Sequence, residues 1–326
     1  MSAIVHASGL VKRYDGTIAV RGIDLDIGAG EVFGLVGPNG AGKTTTLRIL
    51  ATLLVPNAGE AEIAGRSVRR DPDGVRRVVG FMPDAFGVYD DMKVWEYLDF
   101  FARCYAIPAD RRRRLIADLL ELVDLGSKRD TYVAGLSRGM QQRLCLAHAL
   151  VHDPEVLLLD EPASGLDPRA RIELRELLRE LRSLGKTILI SSHILPELEE
   201  LCTGLAIIDR GRVLAQGTMA EIERRLRTGS VIRVRVIGEQ SDVDATREWF
   251  GTADHVVSAV SREDGVIEVG FSGDDAAAAR LLAGAVASGE RIVSFSRAAS
   301  DLEELFLQVT ALPEGQAVEP TAGDVR

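Results

Sequence analysis

The stretch Gly37-Pro38-Asn39-Gly40-Ala41-Gly42-Lys43-Thr44 follows a short apolar run, 32–36, and precedes a segment of helical character, 45–50. A strand, a glycine-rich loop and a helix in this order are the context that a phosphate-binding loop requires. The glycines allow a tight turn in which several backbone N–H groups face one anion, and the helix adds the positive end of its dipole. In such a loop Lys43 reaches the β- and γ-phosphates and the Thr44 hydroxyl ligates Mg²⁺. The stretch therefore predicts a site for a nucleoside triphosphate.

The composition is typical of a folded protein with one large domain and a smaller one. The 326 residues are 46% hydrophobic, which is enough for a core. The formal net charge of −10 argues against a nucleic-acid partner, because proteins that bind nucleic acid usually present a basic surface. Cys104, Cys145 and Cys202 lie far apart, so we expect buried thiols in a reducing compartment rather than disulfides.

Membrane-directing features are not found in the sequence. Residues 1–6 lack the basic and apolar regions of a signal peptide. No apolar run approaches the roughly 20 residues that span a bilayer. We expect a soluble, cytoplasmic protein that reaches a membrane only through a partner.

Strands and helices alternate along the first two thirds of the chain. The run 156–159 is continuously apolar, as expected of a strand that is buried on both faces of a sheet. Asp167-Pro168 predicts the start of a helix that ends near Leu184. The predicted strands are 4–10, 19–27, 32–36, 61–63, 78–82, 156–159, 187–191 and a hairpin of 205–209 with 212–214. This pattern predicts an α/β domain whose largely parallel sheet has its ligand site at the carboxyl ends of the strands.

The segment from about 93 to 152 has a helical pattern, with one apolar face formed by Trp95, Leu98, Phe101 and Ala102. The run 111–114 is all arginine and is interpreted as a solvated helix start, with a contact to acidic lipid head groups as the alternative. His148 and His152 are spaced like a metal-binding pair, but no third ligand is evident, and we expect ordinary core or surface histidines.

A second, smaller α+β unit is predicted after residue 217. It would span 218–312, beginning with a short helix from Thr218 to Gly229, and would be followed by a disordered tail at 313–326. Its predicted strands are 231–237, 256–260, 266–271 and 292–295, and its predicted helices are 242–250, 276–286 and 301–310.

Two acidic residues, Asp160 and Glu161, directly follow the apolar run 156–159. In a triphosphatase an aspartate at this place holds Mg²⁺, and an adjacent glutamate polarises the attacking water as a general base. Either acidic residue could occur there by chance, but their pairing with a phosphate-binding loop favours hydrolysis.

A further anion site is predicted at Ser137 and Gly139, which open a helix that ends near Leu150. One chain would hardly direct two such sites at one phosphate. We therefore expect the second site to serve a neighbouring subunit.

With these motifs in this order, residues 4–217 resemble the ATP-binding subunit of ATP-binding cassette (ABC) transporters. The resemblance implies a P-loop NTPase of the ABC ATPase type with a helical subdomain at about 93–152, which binds ATP and Mg²⁺. It implies that two copies pair head to tail around ATP. For nucleotide binding, the resemblance implies adenine stacking by Tyr14 and a Walker A loop formed by Gly37, Pro38, Asn39, Gly40, Ala41, Gly42, Lys43, Thr44 and Thr45. For hydrolysis, it implies a Walker B aspartate at Asp160, a catalytic base at Glu161, a switch histidine at His193 and Mg²⁺ ligands at Thr44, Asp84 and Asp160. For the dimer, it implies a D-loop at 164–167 and completion of the opposite subunit's site by Ser137 and Gly139.

Two departures from the family pattern stand out. The signature usually reads LSGGQ, and here Arg138 and Met140 replace a glycine and the glutamine. Arg138 would clash if its backbone needed a positive φ, or it would add positive charge. Asp84 stands where the family usually has a glutamine that contacts Mg²⁺ and the membrane subunit, so we expect retuned coupling with intact nucleotide binding.

The unit after residue 217 resembles that of cassettes serving ABC-2-type exporters, including the daunorubicin-resistance group. This implies a separate membrane permease, a position on the inner face of the cell membrane, and export of a drug, lipid or polysaccharide. The alternatives are a non-transport ABC ATPase acting on ribosomes or DNA, and a binding-only regulator. The single cassette disfavours the first, and the presence of Glu161 and His193 disfavours the second.

Overall fold

The computed structural model describes residues 3–84, 87, 89, 91–226, 230–262 and 265–297. They divide into two compact units, one ending at Met219 and the other beginning at Ala220. No helix within these ranges combines the length and the apolar character needed to cross a bilayer.

The first unit contains two sheets and the helices that pack on them. Its strands are β1 (Ala3–Tyr14), β2 (Thr17–Gly28), β3 (Val32–Val36), β4 (Ala58–Ile63), β5 (Arg66–Ser67), β6 (Val79–Met82), β7 (Val156–Asp160), β8 (Thr187–Ser192), β9 (Gly204–Asp209) and β10 (Arg212–Gly217). Its helices are α1 (Lys43–Leu50), α2 (Pro72–Val78), α3 (Val94–Cys104), α4 (Ala109–Leu122), α5 (Arg138–Leu150), α6 (Pro168–Ser183) and α7 (Leu195–Glu199), and α8 (Met219–Leu226) follows at the boundary.

The larger sheet has the strand order β10-β9-β3-β8-β7-β6. All neighbours pair in parallel except β9 and β10, which form the predicted hairpin. Every residue of β3, β7 and β8 is buried, as their apolar runs predicted. The predicted α/β class is therefore confirmed. Because β3, β6, β7 and β8 are parallel, the loops that follow them emerge at one edge of the sheet.

The smaller sheet, in the order β2-β1-β4-β5, differs from the prediction in the length of its first hairpin. Residues 11–14 were expected in the connection but continue β1, and Tyr14 pairs with Thr17 across a turn at Asp15-Gly16. Gly16 has a φ of +77°, which suits so tight a turn. The apolar pattern ends earlier than the strand because the end of the hairpin is exposed on both faces.

The helical segment 93–152 contains α3, α4 and α5, and the buried face of α3 differs from the predicted one. Leu98 and Ala102 are fully buried, but Tyr97 takes the place expected for Trp95, which is half-buried beside Arg129. Residues four apart share a helix face, so 94, 98 and 102 form one buried stripe. At about 100° per residue, position 95 lies at one edge of this stripe and Tyr97 lies on its other side.

The cysteines follow the prediction in part. Burial raises the pKa of Cys145 and of Cys202 to about 12 in each case. Cys104, the last residue of α3, is exposed, so the expectation of three buried thiols is wrong at this position.

The second unit contains β11 (Ser230–Val236), α9 (Gln240–Gly251), β12 (Val256–Ser261), β13 (Val266–Phe271), α10 (Asp275–Ala287) and β14 (Ile292–Arg297). Its antiparallel sheet has the order β12-β13-β11-β14, which with the element order β-α-β-β-α-β is a ferredoxin-like arrangement. Alternate residues of β11 and β13 build its core with Val243 and Phe250 of α9. The helix predicted at 301–310 and the tail predicted from 313 lie outside the described residues.

Candidate functional site

The loop between β3 and α1 needs glycine at two positions for different reasons. A Cβ at Gly37 would lie 2.1 Å from the carbonyl oxygen of Ile208, so no side chain fits there. Gly42 has a φ of +109°, and a Cβ there would lie 2.6 Å from the carbonyl oxygen of Ala19. The neighbouring strands therefore determine the path of the loop as strongly as its own sequence does.

Lys43, the first residue of α1, is only 5% exposed and lies across the loop. Its Nζ donates hydrogen bonds to the carbonyl oxygens of Gly37 at 2.7 Å and Pro38 at 3.2 Å. The same Nζ lies 3.2 Å from Oε1 of Glu161. The cation is thus held at the mouth of the loop, where a phosphate chain would lie.

Asp160, at the end of β7, is 1% exposed. Its Oδ1 accepts hydrogen bonds from the hydroxyls of Ser191 at 2.7 Å and Thr44 at 3.0 Å. Its Oδ2 is buried and has no hydrogen-bond partner among the described residues. Burial raises the pKa of Asp160; the two hydroxyls lower it, and the charges of Asp84 and Glu161 raise it. An orphaned carboxylate oxygen beside a threonine hydroxyl fits a hard divalent cation such as Mg²⁺.

Glu161 follows β7 with its backbone in the left-handed region, at a φ of +49°. A strained backbone at a non-glycine residue costs on the order of 1–3 kcal/mol and persists where surrounding contacts hold it. Its N–H donates to the Ser191 hydroxyl at 3.0 Å, and its Oε2 lies 2.5 Å from Nδ1 of His193. The carboxylate is therefore held between Lys43 and His193 and is directed into the space above the loop.

Ser191 was missed by the sequence analysis as a site residue. Its hydroxyl donates to Asp160 and accepts a hydrogen bond from the N–H of Glu161, so one side chain on β8 aligns the last residue of β7 and the residue after it. A polar residue at the end of an otherwise apolar strand is the signal that could have indicated it.

A cavity of about 380 Å³ lies at this edge of the sheet, within the usual range for ligand sites. It is lined by Ala19, Asn39, Gly40, Ala41, Gly42, Lys43, Thr44, Thr45, Asp84, Glu161, Ser164 and His193. The structure thus brings together most of the predicted site residues, including Asp84, which replaces the glutamine usual in the family. Gly37, Pro38 and Asp160 lie just behind this lining, in contact with Lys43 or Thr44. Tyr14 does not line the cavity; it is 46% exposed, with Nζ of Lys12 at 5.6 Å from its ring.

Ser137 and Gly139 do not line this cavity. Ser137 caps α5, accepting the N–H of Met140 at 3.4 Å, and its side chain is exposed. Arg138 is helical and its φ is not positive, so the clash considered from the sequence does not arise.

His148 and His152 pack against aromatic rings of the helical segment. The ring of His148 stacks on Phe101 with centroids 3.6 Å apart, and that of His152 stacks on Tyr105 at 3.9 Å. Burial lowers the pKa of His148 to about 4. No group of three potential metal ligands occurs in the described ranges.

Comparison with known proteins agrees with this geometry. The family model described as "ABC transporter" matches residues 20–164. The daunorubicin/doxorubicin resistance ATP-binding protein DrrA of Streptomyces peucetius is 38% identical over 309 residues, which are 95% of this chain and 93% of that protein. The chain belongs to the ABC transporter family. The Nod factor export ATP-binding protein I of Ralstonia nicotianae, another relative, is 42% identical over 67% of this chain and 68% of its own length.

Solved structures of ABC proteins have the same fold. An ATP-binding subunit of an ABC transporter is 30% identical with a TM-score of 0.63, covering 68% of this chain and 92% of that one. A dimeric ATP-binding cassette in a post-hydrolysis state, bound to ADP and Pi, is 25% identical with a TM-score of 0.61, over 66% of this chain and 98% of that one. The predictions of an ABC-type P-loop ATPase fold and of an ATP-binding, ATP-hydrolysing subunit of an ABC exporter are confirmed.

Proposed function

We propose that this ABC subunit hydrolyses MgATP at an interface between two copies and thereby drives a membrane permease. The contacts that place Lys43, Glu161 and His193 at one cavity, with Asp160 behind its lining beside Thr44, support the proposal most directly. In this assignment the loop from Gly37 to Thr45 and α1 bind the phosphates through backbone N–H groups, the helix dipole and the Lys43 cation.

Thr44, Asp160 and Asp84 are assigned as the residues that hold Mg²⁺, which when bound neutralises charge on the phosphates. The orphaned Oδ2 of Asp160 and the Thr44 hydroxyl that already contacts Oδ1 support this assignment. Asp84 lines the cavity behind whose lining Asp160 lies, and its charge raises the pKa of Asp160. Both observations support an assignment of the two carboxylates to one cation.

Glu161 is assigned as the general base that takes a proton from the attacking water. Its contact with Nδ1 of His193 leaves the histidine ring oriented into the cavity, where it would contact the γ-phosphate. Ser191 orients the carboxylate from behind through the backbone N–H of Glu161.

A second copy is proposed to complete each site. Ser137, which is exposed, and Gly139, which is half-buried, lie at the start of α5 and outside the cavity of their own chain. A partner that presents this helix start to the bound nucleotide would make contacts only in a closed dimer, so ATP would favour that dimer. Tyr14, exposed at the end of the β1–β2 hairpin, is the proposed adenine-stacking residue.

The membrane partner is proposed to be an ABC-2-type permease, with the subunit bound at the inner face of the cell membrane. The names of the relatives refer to drug resistance and to Nod factor export. These names support export, and we propose a drug, lipid or polysaccharide as the cargo.

The proposed domain boundaries are 1–217 for the ATPase, 218–312 for the accessory unit and 313–326 for the tail.

The test is ATP turnover by the purified full chain with Mg²⁺, compared with Lys43→Ala and with the control Arg48→Ala. Arg48 is an exposed cation on the same helix. Loss of one charge-stabilising donor typically costs about 10²–10³ in rate, so Lys43→Ala should lose this much while Arg48→Ala keeps the parent rate. An equal loss of ATP turnover in both variants, or no loss in either, would contradict the proposed phosphate contact of Lys43. Co-purification of a multi-span membrane protein with the chain would support the proposed permease. Co-purification of ribosomes or DNA instead would overturn the proposed transport function.

A further inference from the structure

The guanidinium of Arg138 lies against the backbone of Gly165. A Cβ at Gly165 would be 2.4 Å from Cζ and 2.6 and 2.8 Å from the two Nη atoms of Arg138. Gly165 also has a φ of +69°, a conformation that favours glycine. The arginine side chain thus occupies the space that the missing side chain of Gly165 leaves free.

One hydrogen bond and one close approach also join α5 to the loop 162–167, which follows Glu161 and leads to α6. Nε2 of Gln142 donates a hydrogen bond to the carbonyl oxygen of Ser164 at 3.1 Å. A Cβ at Gly139 would be in ordinary contact, 3.4 Å, with a methyl group of Leu166. Three successive residues of the loop therefore rest on the first two turns of α5.

The same loop reaches the cavity at its other end. The N–H of Ser164 donates to the carbonyl oxygen of Glu161 at 3.0 Å, and Ser164 itself lines the cavity. Glu161 is held in a strained backbone conformation, so its carboxylate position depends on the residues that follow it. A shift of the loop against α5 would be transmitted directly to Glu161.

We propose that Arg138 is a positioning residue for ATP hydrolysis, because its guanidinium holds the loop 162–167 against α5 and thereby places Glu161. The planar guanidinium can lie flat on a peptide backbone, which the ammonium of lysine cannot reproduce. The inference rests on the proposed role of Glu161. If α5 also contacts ATP held by the partner, Arg138 links the occupancy of that site to the geometry of Glu161 in its own chain.

The test is a steady-state comparison of the full chain with Arg138→Ala, Arg138→Lys and Gly165→Ala. We expect Arg138→Ala to lower kcat by roughly 10²-fold, the usual consequence of a displacement of about 1 Å at a reacting group. KM for ATP should change much less than kcat, because the guanidinium of Arg138 contacts Gly165 and does not line the cavity of its own chain. Arg138→Lys should resemble Arg138→Ala, since it keeps the charge and loses the planar contact. Full rescue by lysine would overturn the positioning role in favour of a role for the charge alone.

A double-mutant cycle tests the contact itself. Gly165→Ala puts a methyl group into the space of the guanidinium, and this part of its cost should disappear when Arg138 is already alanine. The strain at φ +69° is present in both backgrounds and cancels. Residues in contact couple by about 0.5–3 kcal/mol, which corresponds to about a 2- to 150-fold deviation from additive kcat values. Additive losses would overturn the inference.

Thermal unfolding of each variant separates positioning from loss of the fold, with Gly126→Ala, at an open position of ordinary φ, as the control. If Arg138→Ala unfolds early, Arg138→Lys and the cycle in kcat still decide the question. An active parent with undiminished Arg138→Ala turnover overturns this inference alone. An inactive parent overturns the proposed function as well.

Discussion

Nζ of Lys43 lies 3.2 Å from Oε1 of Glu161, and the two side chains are only 5% and 12% exposed. The other carboxylate oxygen of Glu161 lies 2.5 Å from Nδ1 of His193. The lysine assigned to the phosphates and the glutamate assigned to the attacking water therefore share one contact. A polyphosphate that enters the cavity must compete with Glu161 for Lys43.

This competition predicts the behaviour of Glu161→Gln. A neutral amide is a weaker partner for Lys43, so the variant should bind ATP at least as tightly as the parent chain. It should hydrolyse ATP about 10²–10⁴ times more slowly, the usual contribution of a positioned general base, and accumulate as an ATP-bound dimer. Nucleotide titration, phosphate release and light scattering measure the three effects. The control Glu155→Gln alters an exposed glutamate just before the other end of β7, and a similar loss there would contradict the assignment.

Gly42→Ala should damage both the site and the fold. The added Cβ would meet the carbonyl oxygen of Ala19 in a backbone conformation of φ +109°. Backbone strain of this kind costs about 1–3 kcal/mol. We expect a lower midpoint of urea unfolding and loss of ATP binding. Gly126→Ala should change neither quantity, because Gly126 has open space around it and no positive φ. ATP binding by Gly42→Ala at the parent affinity would show that the loop path is unimportant.

Asp84→Gln should separate nucleotide binding from coupling. The charge of Asp84 is one of the causes that raise the pKa of Asp160, and glutamine removes that charge while keeping an oxygen. The pKa of Asp160 should fall, so the Mg²⁺ dependence of ATP binding should persist to lower pH. ATP affinity near neutral pH should be retained, and hydrolysis stimulated by the membrane partner should change. If partner-stimulated hydrolysis and transport were both unchanged, the side chain at position 84 would have no role in coupling. Asp91→Asn, at an exposed neighbour, is the control.

His148 makes the stability of the first unit depend on pH. Burial lowers its pKa from 6.5 to about 4 in the folded chain, so protonation favours the unfolded chain. Its contribution is intact above about pH 6.5 and is lost as the pH falls toward 4. A shift of this size removes about 1.5 kcal/mol between about pH 6.5 and about pH 5.

Urea unfolding of the parent chain and of His148→Gln across this range measures the effect. The variant should be less stable near neutral pH, because it loses the stacking on Phe101, but its stability should fall less steeply with acid. His6→Gln should leave the decline in place, since His6 is exposed and its hydrogen bond to Asp26 raises its pKa. Equal slopes for the parent and His148→Gln would contradict the prediction.

The sequence predicted those parts of the site that depend on short-range pattern. The loop before α1, the carboxylates after β7 and His193 after β8 each follow an apolar strand, and parallel pairing brings such strand ends together. The sequence predicted side-chain burial less well, because burial depends on neighbours that are distant in the chain. Cys104 was expected to be buried, and Trp95 was expected on the face that Tyr97 occupies.

Local residue order by itself predicted the glycine-rich loop, the α/β class and the candidate site residues, because each depends on spacing within a few residues. Only the tertiary structure decided which of them touch. Thr44 meets Asp160 across 116 residues, Ser191 bridges two carboxylates, and Arg138 fills the space beside Gly165. These contacts result from packing between elements that are distant in the chain, and spacing along a sequence carries no measure of distance across a core.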